Sequence, residues 1–186
     1  MPHVRSPFRL DTQRSAVLVI DLQEKLAPLI EASDSIARQI NRLLDAAEIL
    51  DVPTAATVQY PKGLGPLVDV LSGRFEAPEE KLDFSAAVCR ESLDRWARDG
   101  RDQIVIVGIE THVCVQQTVL DLLAEGQRPF VVVDAVAARG QQDHVVALGR
   151  MDSLGATLTT VEACLFEWLA TADRSEFKAV SKLIQQ

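Results

Sequence analysis

The segment Ile104-Val105-Ile106-Val107-Gly108-Ile109-Glu110-Thr111-His112-Val113-Cys114-Val115-Gln116-Gln117-Thr118 opens with four consecutive β-branched residues. Such a run reads as a strand buried on both faces of a parallel sheet. Gly108 interrupts it, a short polar link follows, and Val115, Val119, Leu122 and Leu123 then recur at helical spacing. Cys114 stands where the strand hands over to the helix. Free N–H groups and the positive end of the helix dipole favour a thiolate at such a place. Taken alone, the position suits a nucleophile and a small buried apolar residue equally.

Working outward, Ala16-Val17-Leu18-Val19-Ile20 is a first buried strand that ends on Asp21. A helix capped by Asp34 or Ser35 runs to Leu50, with Ile36, Ile40, Leu43, Leu44 and Ala47 on one face. Pro53 to Val58 is a second strand, followed by a Pro/Gly-rich loop, Gln59 to Pro66, without the spacing of a phosphate loop. Residues 80–84 form a short strand, Ser85 caps a helix through Arg98, and Phe130 to Asp134 is a further buried strand. A helix to Leu154, a strand from Ala156 to Thr160 and two closing helices, 162–170 and 174–184, complete the chain.

Strands alternating with helices predict a three-layer, Rossmann-like α/β fold: a six-stranded, mostly parallel sheet with helices on both faces. Residues 1–14 read as an N-terminal arm and 15–186 as one domain. In the order 3-2-1-4-5-6 the strands leading to Asp21 and to Cys114 are neighbours where the order reverses. Ligands bind at that crevice.

The 27 acidic residues against 19 basic ones give a net charge of −8, which speaks against nucleic-acid and polybasic membrane partners. The three cysteines, Cys89, Cys114 and Cys164, make neither a disulfide framework nor a zinc pattern. With no apolar run of membrane-span length and no signal-peptide core, a reducing, cytoplasmic setting is expected.

Three groups of residues now converge: Val19-Ile20-Asp21-Leu22-Gln23, Lys81 ahead of Phe84-Ser85, and Gly108-Ile109-Glu110-Thr111-His112-Val113-Cys114-Val115-Gln116-Gln117-Thr118. Together with Val132-Val133-Asp134-Ala135 and Gly155 to Glu162, they resemble the isochorismatase-like cysteine hydrolases. The resemblance spans residues 15–168. It implies a catalytic triad of Asp21, Lys81 and Cys114, and a cis peptide between Ile109 and Glu110. The N–H groups of Glu110 and Cys114 would then form an oxyanion hole. It also implies a small-molecule substrate and assembly into a homo-oligomer. The expected chemistry is hydrolysis of a small amide through a thioester, with no cofactor.

Nicotinamidases in this family carry a metal-binding Asp-x-His after the second strand. Here that region reads Thr57-Val58-Gln59-Tyr60-Pro61-Lys62, without histidine, so no metal is expected. Gln23, Tyr60, Phe84 and His112 are the candidate substrate-binding residues. Isochorismatase-type cleavage of a vinyl ether, with Asp21 as acid, and a catalytically idle binding module are the alternative readings.

Overall fold

The computed structural model describes residues 4–185; residues 1–3 of the expected arm lie outside them. Six strands form one sheet: β1 Ser15–Ile20, β2 Thr54–Gln59, β3 Glu79–Lys81, β4 Gln103–Ile109, β5 Arg128–Ala137 and β6 Thr157–Thr159. Their order is β3-β2-β1-β4-β5-β6 and all five pairings are parallel. The helices are α1 Ser33–Ile49, α2 Pro61–Leu64, α3 Arg90–Arg98, α4 Gln116–Ala124, α5 Gln141–Ser153, α6 Val161–Leu169 and α7 Phe177–Ile184.

Alternation along β1 divides the core. Val17 and Val19 pack on the face covered by α1, α6 and α7. Ala16, Leu18 and Ile20 face the other way, toward Trp96 of α3, Val119 and Leu122 of α4 and Met151 of α5. Both faces of the central strands are therefore dry, which is why β1 and β4 read as unbroken apolar runs.

Gly108 is required by the β1–β4 contact. It has φ +115°, and a Cβ there would lie 2.0 Å from the carbonyl oxygen of Ile20, so only glycine lets the two strands meet at their carboxyl ends. The register of β5 against β4 also shifts here, from Ile106↔Val131 to Gly108↔Val136.

Four elements differ from the pattern-based reading. α1 starts at Ser33 after Ala32, so Asp34 and Ser35 lie inside its first turn and neither caps it. β3 stops at Lys81 instead of reaching Phe84. The Lys81 ammonium takes the carbonyls of Asp83 and Phe84 and folds the chain back on itself. Ser85 does cap, accepting the Ala87 N–H at 3.2 Å, but it caps a 3-10 turn, Ala86–Val88, and α3 starts afresh at Arg90. Between β4 and α4, residues Thr111–Val115 form a wide π-helical turn, a form that recurs at functional sites.

The stretch before β1 packs down on the domain. Leu10 is fully buried, and Arg5 donates to the carbonyls of Leu10 and Glu167, both at 2.6 Å. Among the described residues no helix is long and apolar enough to cross a membrane.

Candidate active site

At the carboxyl end of β1 the chain turns sharply. Asp21 has φ +52°, the left-handed region that Asp tolerates better than bulky residues. This turn keeps Asp21 under the sheet edge, fully buried. Its Oδ1 accepts the Thr57 hydroxyl of β2 at 2.8 Å, and its Oδ2 accepts Lys81 Nζ at 2.6 Å.

Lys81 comes from the neighbouring edge. It pairs in register with Gln59 of β2, so the two side chains leave the same face of the sheet. The Lys81 and Asp21 side chains are both 0% exposed. Besides Asp21, Nζ faces Gln59 Oε1 at 2.8 Å and the carbonyl oxygens of Phe84 and Asp83 at 3.0 and 3.3 Å. All four neighbours are acceptors.

Cys114 is 6% exposed and lies on the core face shared by Ile20, Ala86, Val115 and Val119. Thr118 fixes its backbone: the hydroxyl donates to the Cys114 carbonyl at 2.6 Å and accepts the Ala86 N–H at 2.7 Å. The charges of Asp21 and Lys81 both act on the thiol, in opposite directions. Its position corrects the expectation of a resting thiolate. Burial first, and the Asp21 carboxylate second, push the thiol up to about 12 against the opposing pull of Lys81. At neutral pH the sulfur therefore carries its proton.

That balance makes a signed prediction. An anion nearby disfavours the thiolate and a cation favours it. Asp21→Asn should lower the Cys114 pKa, whereas Lys81→Met should raise it further. Ultraviolet titration of the thiolate, with Cys114→Ala subtracted to remove Cys89 and Cys164, reads both shifts. Movement of the two variants in the same direction would contradict the arrangement.

The other expected site residues divide. The Ile109–Glu110 peptide bond is cis. The Glu110 carboxylate points to Arg139, accepting its backbone N–H at 3.0 Å and its Nε at 3.1 Å. Burial opposes that charge, but the Arg139 bonds outweigh it and hold the carboxyl below its ordinary value. His112 is half-buried, with Nδ1 shielded and unpartnered among the described residues. Tyr60 and Phe84 are 51% and 53% exposed, so in this chain neither ring closes a pocket. What Phe84 supplies to Lys81 is its carbonyl, through the backbone.

Gln23 requires a correction. It is fully buried and its amide is spent on the backbone. Oε1 accepts the Gln59 N–H at 2.8 Å, and Nε2 donates to the carbonyls of Gln59 and Gly65 at 3.0 and 2.7 Å. It braces β2 and leaves nothing for a substrate.

Thr57, Gln59 and Thr118 belong to the site and escaped the sequence reading. For the first two a signal existed: Thr57 and Gln59 alternate along an otherwise apolar strand, so both face one side. Among the described residues no group of three or more His, Cys, Asp or Glu could hold a metal ion. Cavities of about 350, 460 and 430 Å³ open beside α1 and the β2–β3 connection, lined by other residues.

A doubly covered parallel sheet with a buried Asp, Lys and Cys at its switch point is the architecture of an isochorismatase-like hydrolase. Comparison with known proteins gives the same answer: residues 15–163 match the isochorismatase domain, and the chain belongs to that family. It is 37% identical to isochorismatase domain-containing protein 2 of Danio rerio over 178 residues, 95% of this chain and 89% of that protein. Among solved structures, the MAR1 ribonuclease from Caenorhabditis elegans superposes with TM-score 0.89 at 40% identity, covering 96% of this chain and 93% of that one. The YcaC gene product from Escherichia coli, an octameric hydrolase of unknown specificity, superposes with TM-score 0.87 at 28% identity, covering 97% and 91%.

Proposed function

We propose that this protein is a metal-independent cysteine hydrolase that cleaves a small amide, or a similar carbonyl compound, through a thioester. The observation that carries the reading is the burial of the paired Asp21 and Lys81 and of the Cys114 thiol on which both charges act, brought from three separate parts of the chain. A buried ion pair is a costly way to stabilise a core. Its placement against a thiol, at a sheet switch point, is what catalysis would require.

The proton sits on sulfur at rest, so attack and deprotonation go together. Asp21 accepts the thiol proton as sulfur bonds to the carbonyl carbon. The N–H groups of Glu110 and Cys114 receive the oxyanion, and the Lys81 charge offsets the negative charge that develops on sulfur. The C–N bond then breaks, and Asp21 passes its proton to the departing nitrogen. Water attacks the thioester, Asp21 takes a proton from it, and the thiol is restored as the acid leaves. No metal ion enters these steps. The stretch from the end of the second strand onward, Thr57 to Lys62, has no histidine where nicotinamidases carry Asp-x-His, and Gln59 within it is bonded to Lys81.

The test is a panel of small amides scored for ammonia or amine release, with a vinyl ether included. Turnover of an amide with a trapped acyl-enzyme on Cys114 is expected. Turnover of the vinyl ether alone would transfer the reading to isochorismatase-type chemistry, and turnover of neither would leave an idle binding module. The ribonuclease named for the Caenorhabditis elegans structure is not carried over, because a net charge of −8 disfavours a polyanionic substrate.

Homo-oligomerisation is part of the same reading. Its supports are the octameric YcaC neighbour and the exposed apolar side chains of Leu82, Phe84 and Val88 beside the Lys81 loop. Light scattering should give a mass well above the 20.4 kDa of one chain. A mass of one chain at every dilution would overturn it.

A further inference from the structure

We infer that Gln59 is a positioning residue for the triad, holding the Lys81 ammonium in place while Asp21 carries a proton. The inference rests on the hydrolase reading above and assigns a task to a residue that the triad leaves out.

Lys81 has four oxygen neighbours, and they are not equivalent. The carbonyls of Asp83 and Phe84 belong to its own loop, two and three residues further on. They hold Nζ within its own loop and not directly to the strands on which Asp21 and Gln59 stand. Only Asp21 Oδ2 and Gln59 Oε1 tie Nζ to other strands, at 2.6 and 2.8 Å. Asp21 loses its charge when it accepts the thiol proton, and a charge-assisted bond is then reduced to an ordinary one. Gln59 is neutral throughout, so its hold does not change with the protonation of the site.

The amide is also orientated for this task. Its Nε2 donates to the Leu82 carbonyl at 2.7 Å, next along the chain from Lys81, which leaves Oε1 for the ammonium. A carboxylate in its place would face the Leu82 carbonyl without a donor and would compete with Asp21 for Lys81. The backbone behind Gln59 is held as well. Gln23 takes its N–H and supplies its carbonyl with a donor, and the Lys81 carbonyl accepts the Tyr60 N–H at 2.9 Å. The result is a chain of support from Gln23 to Gln59 to Lys81, all of it buried.

The experiment needs no substrate. The rate at which iodoacetamide alkylates Cys114, read by peptide mapping at several pH values near neutrality, is proportional to the thiolate fraction. Gln59→Leu, and in parallel Gln59→Met (similar in length and without a hydrogen-bonding amide), should slow alkylation at least threefold at each pH. Lys81→Met should slow it at least as much. Adding either Gln59 substitution to Lys81→Met should change the rate less than threefold, because Gln59 acts through Lys81. A general loosening of the fold would instead raise alkylation, and would do so in both backgrounds. The inference is overturned if the Gln59 variants stay within threefold of the parent protein, or slow the Lys81→Met protein by threefold or more. If Lys81→Met and Asp21→Asn also leave the rate unchanged, the hydrolase reading falls with it. If those two respond and the Gln59 variants do not, only the role of Gln59 is lost.

Discussion

Cys114→Ala removes hydrolysis of whatever amide the panel identifies, with a loss of ~10⁴-fold or more, the scale at which deleting a nucleophile usually registers. Folding should be nearly unaffected. The side chain is small, it sits at the rim of the core beside Ala86 and Val119, and its replacement deletes one sulfur without stranding a charge. Cys114→Ser is the sharper comparison. It keeps a hydroxyl in place, yet an alcohol is a far weaker nucleophile with Asp21 as the only base. Both variants should melt close to the parent protein and release no ammonia. Retention of even a tenth of the activity in Cys114→Ala would exclude the thioester route.

The second large effect is on stability, and it separates the ion pair's structural burden from its chemistry. Asp21 and Lys81 are fully withdrawn from water, so removing one partner leaves the other charge without compensation. Lys81→Met should cost about 3–5 kcal/mol, a fall in Tm of roughly 10 °C for a domain of this size. Asp21→Asn should cost less than Lys81→Met. Its amide still accepts from Lys81, and three other oxygens remain around Nζ. The double variant Asp21→Asn/Lys81→Met carries neither charge and should recover much of the lost stability while remaining inactive. Thermal melts alongside the amide assay read both quantities. A double variant that melts no higher than Lys81→Met alone would mean that the pair is not the source of the cost.

The parallel α/β architecture was legible because it depends on local pattern. Apolar runs at β1 and β4, helical spacing in α1 and α4, and the breaks between them identify a doubly covered sheet without knowledge of any contact. The neighbourhood of Asp21 and Cys114 follows once the sheet takes the Rossmann-like order 3-2-1-4-5-6, which the observed topology has. Lys81 was legible only through the resemblance, since nothing in Glu79-Glu80-Lys81 distinguishes a buried lysine from a solvated one.

Three things were decided by the tertiary structure alone. The first is the state of the thiol. A helix start suggests a thiolate, but burial and the Asp21 charge outweigh it and push the pKa up to about 12; desolvation is a property of the packed site, which no local pattern records. The second is the use of Gln23. Its place after Asp21 invites a substrate contact, yet the β1–β2 pairing sets its amide beside the Gln59 backbone, which takes it. The third is the grouping of Thr57 and Lys81 around the Asp21 carboxylate, with Gln59 on the Lys81 ammonium. Alternation along β2 states that Thr57 and Gln59 share a face. Only the parallel register, which sets Ile20 beside Thr57 and Gln59 beside Lys81, determines that this face is the site.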